Sequence, residues 1–355
     1  MPNPIEKIKS QVRRVSAYTL NAVETKIKIN QNENPFDMPE AIKSEVLARI
    51  AKRPWSRYPS FVPSELLETL AAFANWHSDG VLAGNGSNEL IQALLTVTVQ
   101  PGVKVVISEP TFTLYRLLVE ILGGEVISVP LTADFQYNTA EIEKAAESAD
   151  IVIICSPNNP TGCRLDDQDL ERLLENFSGL VVLDEAYYEF ARKSVVELLG
   201  KHSNLIVLRT FSKAMALAGL RVGYLLASPE LTREIAKGKL PYNVNFFSIT
   251  AAMVAIEYFQ QCLQPLVDSL ISERQRLFEA LLQINGLKPY PSEANFILTE
   301  IVADMKPVEL MSSLQQEEIL IRDVSKYPML GRHVRISVGT TEENDLLLSK
   351  LRLIF

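Results

Sequence analysis

The chain has 355 residues, 35 of them Lys or Arg and 43 Asp or Glu, for a formal net charge of −8. Apolar residues make up 47% and charged residues 22%, the balance of a globular chain rather than a disordered one, and the length suffices for two units with a sizeable core. An acidic chain lacks the basic face that nucleic acid or an anionic membrane requires, so neither is expected as a partner. Three cysteines (Cys155, Cys163, Cys262) are too few for a disulfide framework and predict a reducing, cytoplasmic setting. His77, His202 and His333 are widely separated and lack CxxC partners, so no metal site is expected.

In chain order, the opening MPNPIEKIKSQVRR carries charge with no apolar stretch behind it, so it does not read as a secretory signal. Residues 1–29 have weak periodicity and read as an arm. Residues 30–247 read as a large unit. Within it, from about 80 to 230, short β-branched runs alternate with amphipathic helical stretches such as Asp167–Phe177. Lys104–Ile107, Glu125–Val129, Ile151–Cys155, Leu180–Asp184, Leu205–Leu208 and Tyr224–Ala227 are the predicted strands. Continuously apolar strands have both faces covered, which predicts an α/β architecture with a mostly parallel sheet wrapped by helices. Ligands of such sheets bind beyond the carboxyl ends of the strands. Residues 248–355 read as a smaller α+β unit. It has a long helical stretch from Ile249 to Ile284 interrupted at Pro265, strands near Ala294–Thr299, Glu318–Arg322 and Val334–Val338, and a last helix from Glu342. No uncharged apolar run approaches the ~20 residues of a membrane span.

The most informative segment is Thr210-Phe211-Ser212-Lys213-Ala214-Met215-Ala216-Leu217-Ala218-Gly219, directly after the LIVL strand. A lysine at a strand's carboxyl end, between hydroxyls and small residues, faces a cleft. Small neighbours admit a flat ligand, and desolvation lowers the amine's pKa toward nucleophilic competence. Asp184 closes the LVVLD strand, and Gly86-Ser87-Asn88 opens a helix, a ready site for an anion. Gly-x-Gly here lacks the full dinucleotide fingerprint.

Taken together these segments resemble the class II pyridoxal-phosphate (PLP) aminotransferases of the fold type I group. The resemblance spans nearly the whole chain in the right order: Gly84-Asn85-Gly86-Ser87-Asn88-Glu89, Pro110-Thr111-Phe112, Ser156-Pro157-Asn158-Asn159-Pro160-Thr161-Gly162, Asp184-Glu185-Ala186-Tyr187, the lysine segment with Arg221, and Arg335-Ile336-Ser337. It implies a large PLP-binding unit and a smaller C-terminal one. It also implies that Lys213 carries the cofactor and that Asp184 keeps the pyridine nitrogen protonated. A carboxylate about 4 Å from that nitrogen is worth ~4 kcal/mol at an effective dielectric of ~20, or about three pKa units. Tyr187 and Asn159 would hydrogen-bond the ring's phenolic oxygen and Phe112 would stack on the ring. Gly86, Ser87, Asn88, Thr210, Ser212 and Arg221 would hold the phosphate. Asn88 stands where an aspartate is common. Tyr58, in Trp55-Ser56-Arg57-Tyr58-Pro59, matches a tyrosine that reaches the phosphate of the neighbouring subunit, which implies a homodimer. The resemblance further implies a cis Asn159–Pro160 bond.

Among the subgroups, the chain is most similar to the histidinol-phosphate aminotransferase family, on Ile29-Asn30-Gln31-Asn32-Glu33-Asn34-Pro35-Phe36 and the helix start at Gly86. A substrate without a carboxylate must place its phosphate where an α-carboxylate would sit. One arginine suits a carboxylate, and the pair Arg322 and Arg335 suits a dianionic phosphate. Asn159 and Tyr18 would complete that pocket, although Tyr18 lacks the proline and glycine that often flank it. The implied reaction is transamination of histidinol phosphate with 2-oxoglutarate, run in reverse with glutamate as donor in biosynthesis. Rival readings on the same scaffold are an aromatic amino-acid aminotransferase and a PLP lyase such as a threonine-phosphate decarboxylase. A non-catalytic PLP-binding regulator would need a basic DNA-binding module for which the chain has neither length nor charge.

Overall fold

The computed structural model describes residues 3–16 and 24–355. Its strands are β1 (Ile27–Lys28), β2 (Val81–Gly84), β3 (Lys104–Glu109), β4 (Glu125–Pro130), β5 (Ile151–Cys155), β6 (Leu180–Asp184), β7 (Leu205–Thr210), β8 (Gly223–Leu226), β9 (Leu287–Pro289), β10 (Phe296–Ile301), β11 (Ile319–Leu320), β12 (Arg322–Asp323) and β13 (His333–Ser337). Seven of them form one sheet in the order β2-β8-β7-β6-β5-β3-β4. Neighbours from β4 to β7 run parallel, and β8 is antiparallel to both β7 and β2. The chain is therefore α/β with a mostly parallel central sheet, as its apolar runs predict.

Residue alternation explains why this sheet is sealed on both faces. Val106, Val152, Ile154, Val181, Leu183 and Val207 point into one core, together with Ala252 and Val254 of helix Phe246–Glu257. Val105, Ile107, Ile151, Ile153, Val182 and Ile206 point into the other, against Leu90, Ile91 and Leu94 of helix Ser87–Thr98. Every residue of β5 and β7 is buried, which a strand exposed on one face could not be.

A second sheet, β12-β13-β10-β9, is antiparallel. The stretch expected as one strand, Glu318–Arg322, divides into two. Ile319–Leu320 pairs in parallel with β1, whereas Arg322–Asp323 pairs with β13; the partner changes at Ile321, whose side chain is buried in the small core. Ile27 and Ile29 enter that same core beside Leu277, Ile297, Ile336 and Leu347, so the segment ahead of residue 30 is stitched to the second sheet. The long helical stretch breaks ahead of Pro265 rather than at it. Helix Phe246–Glu257 ends, residues Phe259–Leu263 form a wide turn, and Pro265 sits in the first turn of helix Gln264–Leu282, where its missing N–H costs nothing. The helical segments Phe246–Glu257 and Phe259–Leu282 meet at 72°, and among the described residues no single helix is long and apolar enough to cross a membrane.

The parallel strands β5, β6 and β7 end side by side at Cys155, Asp184 and Thr210. Beneath those ends lies a buried ion pair: Arg209 Nε to Glu185 Oε2 at 2.9 Å, with both side chains 3% exposed or less. Glu185 also accepts the Val195 N–H at 2.8 Å and the Ser194 hydroxyl at 2.9 Å, and the Arg209 guanidinium lies 4.0 Å from the centre of the Tyr188 ring. This cluster fastens the β6 and β7 ends to one another. Removing one member of a buried pair leaves the other charge uncompensated. Glu185→Ala should therefore lower stability by about 3–5 kcal/mol in a denaturant titration; a loss below about 1 kcal/mol would mean that the pair does not fasten the strand ends.

Candidate active site

The strand ends open on a cavity of about 300 Å³. Ser87, Asn88, Phe112, Asn159, Asp184, Tyr187, Thr210, Ser212, Lys213, Arg221, Arg322 and Arg335 all line it, although they come from segments more than 200 residues apart. Gly86 lies at its edge, against Arg221. Tyr58 lies outside it, 82% exposed and stacked on Tyr242 at 4.7 Å between ring centres. Tyr18 falls outside the described residues.

Asp184 ends β6 and is 3% exposed. Its Oδ2 accepts the Tyr115 hydroxyl at 2.6 Å and its Oδ1 accepts the Ala186 N–H at 3.1 Å. Burial pushes its carboxyl up to about 6, while those two hydrogen bonds oppose the rise. Lys213 follows β7 by three residues and is half-buried; its Nζ donates to the Gln31 carbonyl at 2.9 Å. Burial, and then the positive charge of Arg335, push its amine down to about 7. Acid and base thus share one cavity with both groups poised near neutrality.

The polypeptide at Asn30–Asn34 closes one side. Asn32 takes a left-handed conformation (φ 55°), which asparagine tolerates better than most residues. Its N–H donates to Ser337 Oγ at 2.9 Å, its Oδ1 accepts from that same hydroxyl at 2.9 Å, and its Nδ2 donates to the Tyr187 hydroxyl oxygen at 3.0 Å. Asn295 Nδ2 donates to its carbonyl at 3.1 Å. Tyr187 is buried, and burial raises its phenol so that it stays protonated at working pH.

Two cationic corners flank this centre. At the first, helix Ser87–Thr98 begins after Gly86 with no side chain capping its amides. Gly86 has φ 82°, and a Cβ there would lie 2.3 Å from Arg221 Nη2; a Cβ on Gly223 would lie 2.3 Å from the Ser87 amide nitrogen. Arg221 Nη1 donates to Ser212 Oγ at 2.9 Å, and the Thr210 hydroxyl donates to that same oxygen at 3.1 Å. A glycine-lined helix start, two hydroxyls and a guanidinium form an anion cradle. At the second corner, Arg335 on β13 is paired opposite Arg322 on β12. Arg335 Nη1 donates to Asn159 Oδ1 at 2.5 Å and Nη2 to the Asn30 carbonyl at 2.7 Å.

The Asn159–Pro160 bond is cis, as the resemblance implies; Glu109–Pro110 and Ser156–Pro157 are cis as well. Asn158 ties these turns together, with its Nδ2 donating to the Pro110 carbonyl at 2.9 Å and its Oδ1 accepting the Thr111 hydroxyl at 2.7 Å. Tyr115, Cys155, Ala186, Tyr327, Asn30, Gln31 and Asn32 also line the cavity, and sequence reasoning gives none of them a site role. The Asn30–Asn32 run carries a signal, an asparagine-rich stretch ahead of Pro35. Tyr115 carries none, because in LYRLLVEIL it reads as one more apolar helix position.

The profile of the aminotransferase class I and II family matches residues 24–351, which sets the class of protein. The histidinol-phosphate aminotransferase of Chlorobium phaeobacteroides is 40% identical over 354 residues, covering 98% of this chain and 97% of that one. The solved histidinol-phosphate aminotransferase from Sinorhizobium meliloti in complex with pyridoxal-5'-phosphate superposes with a TM-score of 0.87 at 23% identity, covering 97% of this chain and 96% of that one. The L-threonine-O-3-phosphate decarboxylase from Porphyromonas gingivalis superposes at 0.82, also at 23% identity, over 92% and 99% of the two chains. At such identities the structural likeness speaks for the fold alone. The chain belongs to the class I and II aminotransferases and, on its near-full-length relative, to their histidinol-phosphate aminotransferase branch.

The cradle is testable without a cofactor. Gly86→Ala should displace Arg221 and weaken binding of inorganic phosphate on the order of tenfold, the scale of one charge-assisted hydrogen bond. Isothermal titration would read this, and unchanged affinity would mean that the helix start holds no anion.

Proposed function

We propose that the chain catalyses PLP-dependent transamination between L-histidinol phosphate and 2-oxoglutarate, forming imidazole-acetol phosphate and glutamate, with glutamate as donor in the biosynthetic direction. The carrying observation is the cross-strand pair Arg322 and Arg335 on the cavity wall. Like charges directly opposite on neighbouring strands are destabilising unless an anion lies between them. Two guanidiniums match a dianionic phosphate better than the single charge of a carboxylate.

The residues present fit the cofactor. The cradle formed by Gly86, Ser87, Asn88, Thr210, Ser212 and Arg221 would take its phosphate, with Gly86 and Gly223 leaving room that a Cβ would fill. Asp184 would face its ring nitrogen, Phe112 its ring, and Tyr187 and Asn159 its phenolic oxygen; Lys213 would hold it covalently. When bound, PLP supplies an electron sink for the carbon that bears the substrate amine. The protein supplies the proton transfers. Lys213 Nζ, pushed down to about 7, is unprotonated in large part just above neutrality and can take and return the proton of that carbon. Asp184, at about 6, is ionised over the same range. Both groups reach these forms as pH rises through about 6 to 7, so activity should fall on the acid side of that window. Asn159, held by Arg335, links the second cationic corner to the centre.

The same reading makes the protein a soluble cytoplasmic homodimer, with an arm (1–29), a large unit (30–247) and a small one (248–355). Tyr58 would reach the partner's phosphate cradle. Its 82% exposure, beside Trp55 at 68% and Phe61 at 64%, supports a partner on that face.

The test is a half-reaction on the purified PLP-loaded protein. Histidinol phosphate, phenylalanine and threonine phosphate are added separately while the bound cofactor's absorbance is followed. Rapid change with histidinol phosphate is expected, and Lys213→Ala should abolish it. Arg322→Ala should slow the phosphate substrate at least about tenfold and phenylalanine far less. Rapid change only with phenylalanine, or carbon dioxide released from threonine phosphate, would replace the reading by an aromatic aminotransferase or a lyase.

A further inference from the structure

We propose that Tyr115 is a positioning residue of this site: its hydroxyl, donated to Asp184 Oδ2 at 2.6 Å, orients that carboxylate and keeps it charge-bearing toward the ligand. The inference rests on the reading above that Asp184 faces the cofactor's ring nitrogen. Tyr115 lies on helix Leu114–Leu122, is completely buried, and meets Phe112 edge-on with ring centres 5.5 Å apart. One phenol thus supports both the aspartate and the aromatic ring that line the same cavity.

The surroundings of Asp184 leave the task to this hydroxyl. Six titratable side chains act on it: Tyr115 from its helix, Cys155 from the end of β5, Tyr137 from ahead of helix Thr139–Ala146, Glu185 and Tyr187 from its own strand end, and Lys213 from after β7. Burial holds the Cys155 thiol and the Tyr137 and Tyr187 phenols uncharged at working pH. The charge of Glu185 is engaged by Arg209 at 2.9 Å. Among the described residues, the donors that reach the Asp184 carboxylate are Tyr115 and the Ala186 amide. A sealed carboxylate with one donor fewer takes up a proton at higher pH. Tyr115 stays a donor throughout, because burial and the adjacent carboxylate raise its own ionisation well above the usual phenol value.

The experiment compares Tyr115→Phe with Tyr137→Phe, a matched control that removes another buried phenol hydroxyl, one donated to the Cys155 carbonyl rather than to Asp184. Infrared titration of the cofactor-free chain, with Asp184→Asn identifying the band, reads the carboxylate directly. Tyr115→Phe should move the Asp184 midpoint up by roughly one to two pH units, the equivalent of one hydrogen bond to a charged group. In the loaded protein the acid limb of the kcat profile should move up with it. Tyr137→Phe should leave both where they are. Equal behaviour of the two variants, or an unmoved Asp184 band in Tyr115→Phe, overturns the proposal. The infrared arm needs no cofactor, so it decides the contact independently. A failure of the underlying reading would show itself separately, as wild-type protein that does not bind PLP.

Discussion

Asp184 and Lys213 line one cavity, and desolvation acts on them in opposite senses. It favours the protonated carboxyl and the neutral amine, bringing one up to about 6 and the other down to about 7. Left to burial alone, both groups would become uncharged and the site would lose its electrostatic contrast. Much of the surrounding structure consists of groups that set how far each shift goes. Tyr115 and the Ala186 amide oppose the rise of the aspartate, whereas the cation of Arg335 adds to the fall of the lysine and the charge of Glu33 opposes it.

The fold delivers these groups because parallel strands end together. Asp184 and Thr210 are consecutive strand ends of one sheet, and Lys213 follows the second of them. The buried Arg209–Glu185 pair ties those two ends while engaging a carboxylate adjacent in sequence to Asp184. The second sheet approaches through Arg335 and Ser337, which bond the Asn30–Asn32 backbone, and that segment in turn bonds Tyr187 and Lys213. Both sheets therefore position the same few atoms. The acidic net charge of −8 coexists with this arrangement because three arginines suffice to make two corners of the cavity cationic, Arg221 at one and Arg322 with Arg335 at the other.

Much of this was legible in the sequence, for physical reasons. Runs such as IVIIC and LVVLD can be satisfied only inside a covered sheet, so the strands and the side on which ligands gather follow from local pattern. Asp184, which closes one of those strands, and Lys213, which follows another, are placed by that pattern, but their roles come from the resemblance of the whole set of motifs. The edge strand Val81–Gly84 and the two-residue strands have too little pattern to show. The division of Glu318–Arg322 between two partners depends on a pairing with residues nearly 300 positions away. Tyr115 is hidden for a related reason: it works through a partner 69 residues away and looks locally like ordinary core. Asn32 sits in a run that does carry a signal, but its bond to Tyr187, 155 residues on, does not show locally.

The chemistry of the site depends on whether burial sets the lysine. The most direct measurement is a ¹⁵N NMR titration of the Lys213 Nζ in the cofactor-free protein, with the resonance assigned by its absence in Lys213→Arg. A midpoint near 7 is predicted, with the amine losing its proton as pH rises through neutrality. A midpoint near the ordinary lysine value of 10.5 would contradict the account, because the cavity would then hold a permanently charged ammonium unable to serve as a base.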